Sequence, residues 1–145
     1  MNPVITVIFA RGHENIQATH RTTFEITKKS TLTKRGDCII AISATKGAAD
    51  LSSYFKEVAR SEDAQIMITI EAEGLKEIIR AKGSSRLSFT DPRDLVVRKS
   101  NYVCGRTIAI KANKAANDLS RKLVEKLMNP DQRITITLTV EDQRT

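Results

Sequence analysis

Apolar residues recur along this chain with two periods, and the order in which those periods alternate predicts most of its elements. Strict alternation at Ile66, Ile68 and Ile70, and again at Ile134, Ile136 and Leu138, predicts strands with one buried face. The other face of the later strand is the polar row Thr135, Thr137 and Thr139. Ile40 and Ile42 alternate with Ala41 and Ser43 as Ile108 and Ile110 do with Ala109 and Lys111, which predicts strands over 38–44 and 106–112. Val4–Arg11, rich in β-branched residues and closed by Gly12, reads as a strand stopped by a turn, and Leu75–Lys82 before Gly83 reads the same way. Thr22–Lys28 and Asp94–Lys99 give two weaker strand signals. Helical spacing appears at Leu51, Phe55 and Val58 and at Leu119, Leu123 and Leu127, each a stripe that faces a core. Thr45 and Asn113 are the expected caps of these helices, with Asp50 and Asp118 near the positive ends of their dipoles.

Written in order, these elements repeat. A shift of 68 residues places Gly36–Glu73 on Cys104–Glu141 with about 15 identities in 38 pairs and no gap. IIAISATKGAADLS is matched by TIAIKANKAANDLS, and a shift of 71 pairs Ala10-Arg11-Gly12 with Ala81-Lys82-Gly83. The chain is therefore expected to be one domain of two structural repeats, about 1–73 and 74–145, each running strand, strand, strand, helix, strand. Mostly sequential strands and short turns favour antiparallel pairing. The fold class expected is α+β, mainly antiparallel β, an internally duplicated pseudo-two-fold β-sandwich or barrel-like fold.

Composition adds little to the fold and more to the partner. A length of 145 residues, 40% of them apolar and 28% charged, suits a single core without staples. No apolar run approaches the roughly 18 residues a spanning helix needs, and no leader pattern opens the chain, so a cytoplasmic protein is expected. Cys38 and Cys104 form no C-x-x-C pair and read as buried, reduced thiols. The net charge of +7 is uneven: residues 1–73 hold nine Lys or Arg against nine Asp or Glu, and residues 74–145 hold fifteen against eight. A cluster including Arg80, Lys82, Arg86, Arg93, Arg98, Lys99, Arg106 and Lys111 makes the second half the expected approach for an anionic partner.

The strings GHENIQATHRTTFEIT at 12–27, GDCII at 36–40 and RKSNYVCGRT at 98–107 resemble an archaeal family known as domain of unknown function 371. The resemblance covers the whole chain. It implies a mainly β, sandwich-like fold and an archaeal cytosolic origin, and it carries no activity, so it assigns no role to any residue.

Candidate chemistry is best sought where the two repeats differ. Both histidines, His13 and His20, lie in the loop after the first strand, where the second repeat has Ser84 and Asp91. One reading makes His13, Thr19, His20 and Asp91 the site of a small hydrolase or lyase, with a histidine as general base. Its metal-dependent form uses His13 and His20 as ligands with Glu14 or Asp91, although the spacing matches no metal pattern. The other reading is a binding protein for an anionic ligand, RNA or a nucleotide. Lys46 and Lys114, expected at the helix starts, would serve it with Arg86, Arg93, Arg98 and Lys99. A third reading, an assembly partner, requires an exposed apolar patch. Neither a dinucleotide fingerprint nor a P-loop is present.

Overall fold

The computed structural model describes residues 3–142. Eight strands and two short helices follow in the order β1 (Val4–Arg11), β2 (Thr23–Thr27), β3 (Ile39–Ala41), α1 (Ser53–Ala59), β4 (Ala64–Ala72), β5 (Leu75–Lys82), β6 (Asp94–Arg98), β7 (Thr107–Ala109), α2 (Arg121–Leu127) and β8 (Arg133–Asp142). They form an α+β fold of two four-stranded sheets. The first, in the order β1-β8-β4-β5, is wholly antiparallel. The second, β3-β2-β6-β7, pairs β2 with β6 antiparallel but β2 with β3 and β6 with β7 in parallel. Parallel pairing follows from the long connections 28–38 and 99–106, which carry the chain back before it pairs.

The third and seventh strands are shorter than their alternation predicts, three residues instead of seven. Past Ala41 the chain divides its hydrogen bonds between the sheets. Ile42 exchanges two backbone bonds with Arg11, of 2.7 and 2.9 Å, while Ser43 and Ala44 donate to Lys29 and Thr27. The segment after β7 does the same: Ile110 exchanges bonds of 2.8 and 2.9 Å with Lys82, and Lys111 and Ala112 donate to Ser100 and Arg98. Ser43 and Lys111 make the switch in the left-handed region, each with φ of 52°. Both outer strands of the first sheet are thereby stitched to the second.

Thr45 and Asn113 belong to these seams and not to the helices. Thr45 Oγ1 accepts from the Phe9 N–H at 3.1 Å, and Asn113 Oδ1 accepts from the Arg80 N–H at 3.0 Å. The helices are capped by Ser52 and Ser120, whose hydroxyls accept from Phe55 N at 3.0 Å and Leu123 N at 3.5 Å. Asp50 and Asp118 close short 3₁₀ turns ahead of the helices by accepting from Gly47 N and Ala115 N.

One contiguous core holds the inward rows of both sheets, including Ile8, Phe24, Ile26, Ile68, Leu95 and Ile136, together with Leu51, Phe55, Leu123 and Leu127 from the helical segments. The backbone approaches helix ends closely at Gly12 and Gly83. A Cβ at Gly83 would overlap the Ala59 carbonyl oxygen, and one at Gly12 would overlap those of Leu127 and Asn129. The next residues use that proximity, since Ser84 N donates to Ala59 O and His13 N to Leu127 O, both at 3.0 Å. These bonds satisfy helix-end carbonyls that otherwise lack partners.

The two faces exposed by this arrangement differ. In the first sheet the outer face is open, with Ile5 63%, Phe9 48%, Val7 42% and Ile78 42% exposed. In the second, every residue of β2 is buried although TFEIT alternates like a half-exposed strand.

Gly83→Ala is expected to destabilise the protein by about 1–3 kcal/mol through overpacking against the end of α1. Urea unfolding should show a lower midpoint with an unchanged m-value.

Candidate functional site

The residues singled out by the histidine reading are placed by turn geometry. His20 Nδ1 accepts from the backbone N–H groups of Thr22 and Thr23, each at 3.2 Å, and Asp91 Oδ1 accepts from Arg93 N and Asp94 N at 2.8 Å. His13 Nδ1 accepts from Asn15 N at 2.9 Å, as Ser84 Oγ does from Arg86 N at 3.2 Å. Each histidine thus does the work that a Ser or Asp does in a turn. The lone pair at Nδ1 is used, which places the ring proton on Nε2. Thr19 N and His20 N both donate to Asp37 O.

His20 precedes β2 and Asp91 precedes β6, strands that run antiparallel with Thr27 opposite Asp94. Their starting points are therefore separated by four residues, about 14 Å. His20 and Asp91 do not converge on one site. Among the described residues no cluster of three or more His, Cys, Asp or Glu has a metal-binding arrangement.

The cations expected to meet an anion are mostly committed elsewhere. Lys99 pairs with Asp118 at 2.6 Å and Lys114 with the partly buried Glu77 at 2.7 Å. Arg93 lies 3.5 Å from Asp94, and Arg86 Nη2 donates to Asn101 O at 2.7 Å. Arg98 donates to Thr107 Oγ1 at 2.9 Å and covers the Tyr102 ring. Lys46 and Lys114 precede the 3₁₀ turns and lie well ahead of α1 and α2, so neither stands at the first turn of an α-helix.

What covers the outer face of β2 is an ionic cluster. Arg106 Nη1 reaches Glu25 Oε1 at 3.1 Å and Asp94 Oδ2 at 3.5 Å, and Thr27 Oγ1 donates to Asp94 Oδ1 at 2.7 Å. Burial, and then the charge of Asp94, raises the Glu25 pKa against the pull of Arg106. The two cysteines flank this cluster in opposite environments. Burial and the charges of Glu25 and Asp37 push Cys38 up to about 11. Burial also opposes the Cys104 thiolate, but the Arg106 N–H, the Thr107 hydroxyl and the Arg98 and Arg106 guanidiniums outweigh it and bring Cys104 down to about 7. Arg98 Nη2 lies 3.4 Å from its sulfur.

The concave site with the most one-sided chemistry lies on the other sheet, at the seam beside β1. Phe9, Ala10, Arg11, Ser43, Thr45 and Arg133 line a cavity of about 280 Å³. Arg11 and Arg133 are direct cross-strand partners. Because the backbone groups of Phe9 and Arg11 turn toward Thr45 and Ile42, Arg11 and Arg133 form a non-hydrogen-bonded pair, the kind in which side chains lie closest. Neither arginine has an ion-pair partner among the described residues, and Phe9 leaves its ring half exposed beside them. Like charges opposite one another weaken a sheet, so folding gives no reason for this pair. A larger cavity of about 410 Å³ between the His13 loop and α2 has mixed charge, lined by Glu14 and Glu125 as well as Lys34 and Arg121. Its Arg121 is spent on the carbonyls of Ala116, Asn117 and Leu119.

Sequence reasoning missed Arg11 and Arg133 because charge was counted along the chain, whereas these residues are 122 positions apart and meet only through the β1–β8 register. The signal present was modest: Phe9 and Arg11 share a strand face, and Arg133 opens the last alternating run.

Two outcomes test the roles assigned above. His20→Asp should retain stability, whereas His20→Ala should lose about 0.5–1.5 kcal/mol in urea unfolding, the net value of its turn bonds. Alkylation of Cys104, followed by mass spectrometry, should rise with a midpoint near pH 7 because the thiolate is the reactive form, while Cys38 should react only as pH approaches 11. Arg98→Ala should move the Cys104 midpoint upward by removing a cation from the thiolate.

Comparison with known proteins places the chain without naming its chemistry. A curated relative, the "Uncharacterized protein MJ0206" of Methanocaldococcus jannaschii, is 49% identical over 121 residues, 83% of this chain and 89% of the relative. The family model described as "Domain of unknown function (DUF371)" matches residues 8–141. The match runs from the second half of β1 to the penultimate residue of β8 and takes in both seams and the Arg11–Arg133 pair, and the chain belongs to the DUF371 family.

Proposed function

We propose that this protein binds a phosphate-bearing ligand, a nucleotide or an RNA, with the phosphate held between Arg11 and Arg133. The observation that carries this reading is the cross-strand arginine pair: two arginines opposite one another in the register that line one cavity, with no ion-pair partner among the described residues. A phosphate supplies that charge and accepts from the forked donors of both side chains. Ser43 and Thr45 add hydroxyls at the same cavity, and the Phe9 ring offers an apolar face next to it.

The two halves are read as copies of one unit. Supporting this are the matched seams, the matched close approaches at Gly12 and Gly83, and the matched turn acceptors His20 and Asp91. On that view Lys82 of the second half corresponds to Arg11 of the first, and Gln65 to Arg133, so the equivalent cross-strand pair, Gln65–Lys82, has one cation where Arg11–Arg133 has two. The ligand site is then asymmetric, and it is shared between β1 of the first half and β8 of the second. A reducing compartment such as the cytoplasm fits the unpaired Cys38 and Cys104.

Binding of inorganic phosphate, mononucleotides and RNA, measured by calorimetry or anisotropy across a salt series, tests the proposal. Arg11→Ala and Arg133→Ala should each weaken binding about tenfold or more, with affinity rising as salt falls. The same variants should be as stable as the parent, or more stable by about 0.2–1 kcal/mol, because a like-charge contact is removed. Absence of binding by all three ligands at low ionic strength refutes the reading.

A further inference from the structure

We infer that the open outer face of the first sheet is a track for single-stranded nucleic acid, running diagonally from the Arg11–Arg133 pair to Arg80 and Lys82; this rests on the phosphate site proposed above. The register fixes what lies along the track. Across β1, β8, β4 and β5 in turn, one row reads Phe9, Thr135, Glu71, Lys76, the next Val7, Thr137, Thr69, Ile78, and the next Ile5, Thr139, Met67, Arg80. All these side chains are on the face opposite the buried Ile8, Ile136, Ile70 and Ile79. The middle is thus apolar groups and threonine methyls with hydroxyls, a surface suited to the faces of unpaired bases.

The two ends of the diagonal are positive. Arg11 and Arg133 occupy one corner, where β1 ends and β8 begins, and Arg80 and Lys82 occupy the opposite corner on β5. Neither Arg80 nor Lys82 has an ion-pair partner among the described residues. The corners are separated by three strand spacings across the sheet and six residues along it, about 25 Å in all. That length suits a strand of about four or more nucleotides, the site size of small β folds that hold single strands.

Charge complementarity selects the occupant. A second copy docked by this same face would bring no free carboxylates to these corners, since Glu71 is 3.9 Å from Lys76 and Glu141 also has a partner. A polyanion meets both corners at once, and its bases can cover the apolar middle. Duplex nucleic acid, with its bases stacked inside, would leave Val7 and Ile78 uncovered.

Anisotropy with a mononucleotide, a tetranucleotide and an octanucleotide of RNA separates the track from the phosphate site alone. Affinity should rise at least tenfold from mononucleotide to octanucleotide. The double variant Arg80→Ala/Lys82→Ala should weaken the octanucleotide about tenfold, flatten its salt slope by about 1.4, and leave the mononucleotide unchanged. Val7→Thr/Ile78→Thr, which keeps β-branched groups on exposed positions, should also weaken the octanucleotide while the protein stays folded and monodisperse. Length-independent affinity with no effect of either double variant overturns the track and leaves the phosphate site standing. A Val7→Thr/Ile78→Thr protein that changes oligomeric state without losing octanucleotide affinity identifies the face as a contact between copies and likewise overturns it. Loss of all binding, mononucleotide included, refutes the phosphate site and the track together.

Discussion

Everything else in this structure depends on two short backbone seams. At Ile42–Thr45 and Ile110–Asn113 the chain gives alternate hydrogen bonds to one sheet and then the other, so an antiparallel sheet and a mixed sheet share both of their edges. Without the seams, β1 and β5 would be open edges with unpaired N–H and C=O groups, and the second sheet would be a four-stranded fragment with outer strands of three residues. The left-handed conformations of Ser43 and Lys111 are the local cost of this switch, kept because the bonds on either side overdetermine them. The same geometry turns the backbone of Phe9 and Arg11 away from β8, and so brings the arginine side chains together.

The second constraint is the burial of charge on the second sheet. Glu25 and Asp94 are 7% and 4% exposed, and they remain compatible with folding because Arg106 and Thr27 meet them directly. Carboxylates that crowd one another and a guanidinium that lies over both make this a cluster whose members stand or fall together. Beside it, the Cys104 pKa is lowered against burial by the Arg106 backbone N–H first, then by the Thr107 hydroxyl and the Arg98 and Arg106 guanidiniums, while burial first and the Glu25 charge second raise that of Cys38. Two thiols on the borders of one cluster are thus shifted in opposite directions.

Much of the fold was legible where side chains face a core. The alternations at Ile66–Ile70 and Ile134–Leu138 correspond to β4 and β8, and Val4–Arg11 and Leu75–Lys82 coincide with β1 and β5. The parts that were not legible depend on partners far away in sequence. Nothing in 38–44 indicates that pairing passes from β2 to β1 at Ile42, because side-chain alternation continues across the change. Thr45 and Asn113 were assigned to helices because a polar residue ahead of a helical stripe is a capping signal, and their strand partners, Phe9 and Arg80, lie more than thirty residues away. The histidines are rare in the chain, yet their Nδ1 atoms perform an acceptor's task that Ser84 and Asp91 also perform. Nothing in the sequence near Arg11 or Arg133 signals their pairing, because only a register sets them opposite one another.

The position of β8 also governs the order of assembly. It is the last described strand, yet it is a central strand of the first sheet, with β1 on one side and β4 on the other. A nascent chain that has completed β1, β4 and β5 holds only the β4–β5 hairpin of that sheet, and the inward rows of Ile8 and Ile68 have nothing between them. Pairing β1 to β8 closes a loop of more than a hundred residues, the kind of contact that slows folding and leaves apolar strands waiting. The first sheet, and with it the arginine pair, comes into existence only when synthesis has passed residue 133, so a chain interrupted earlier has no partial version of the site.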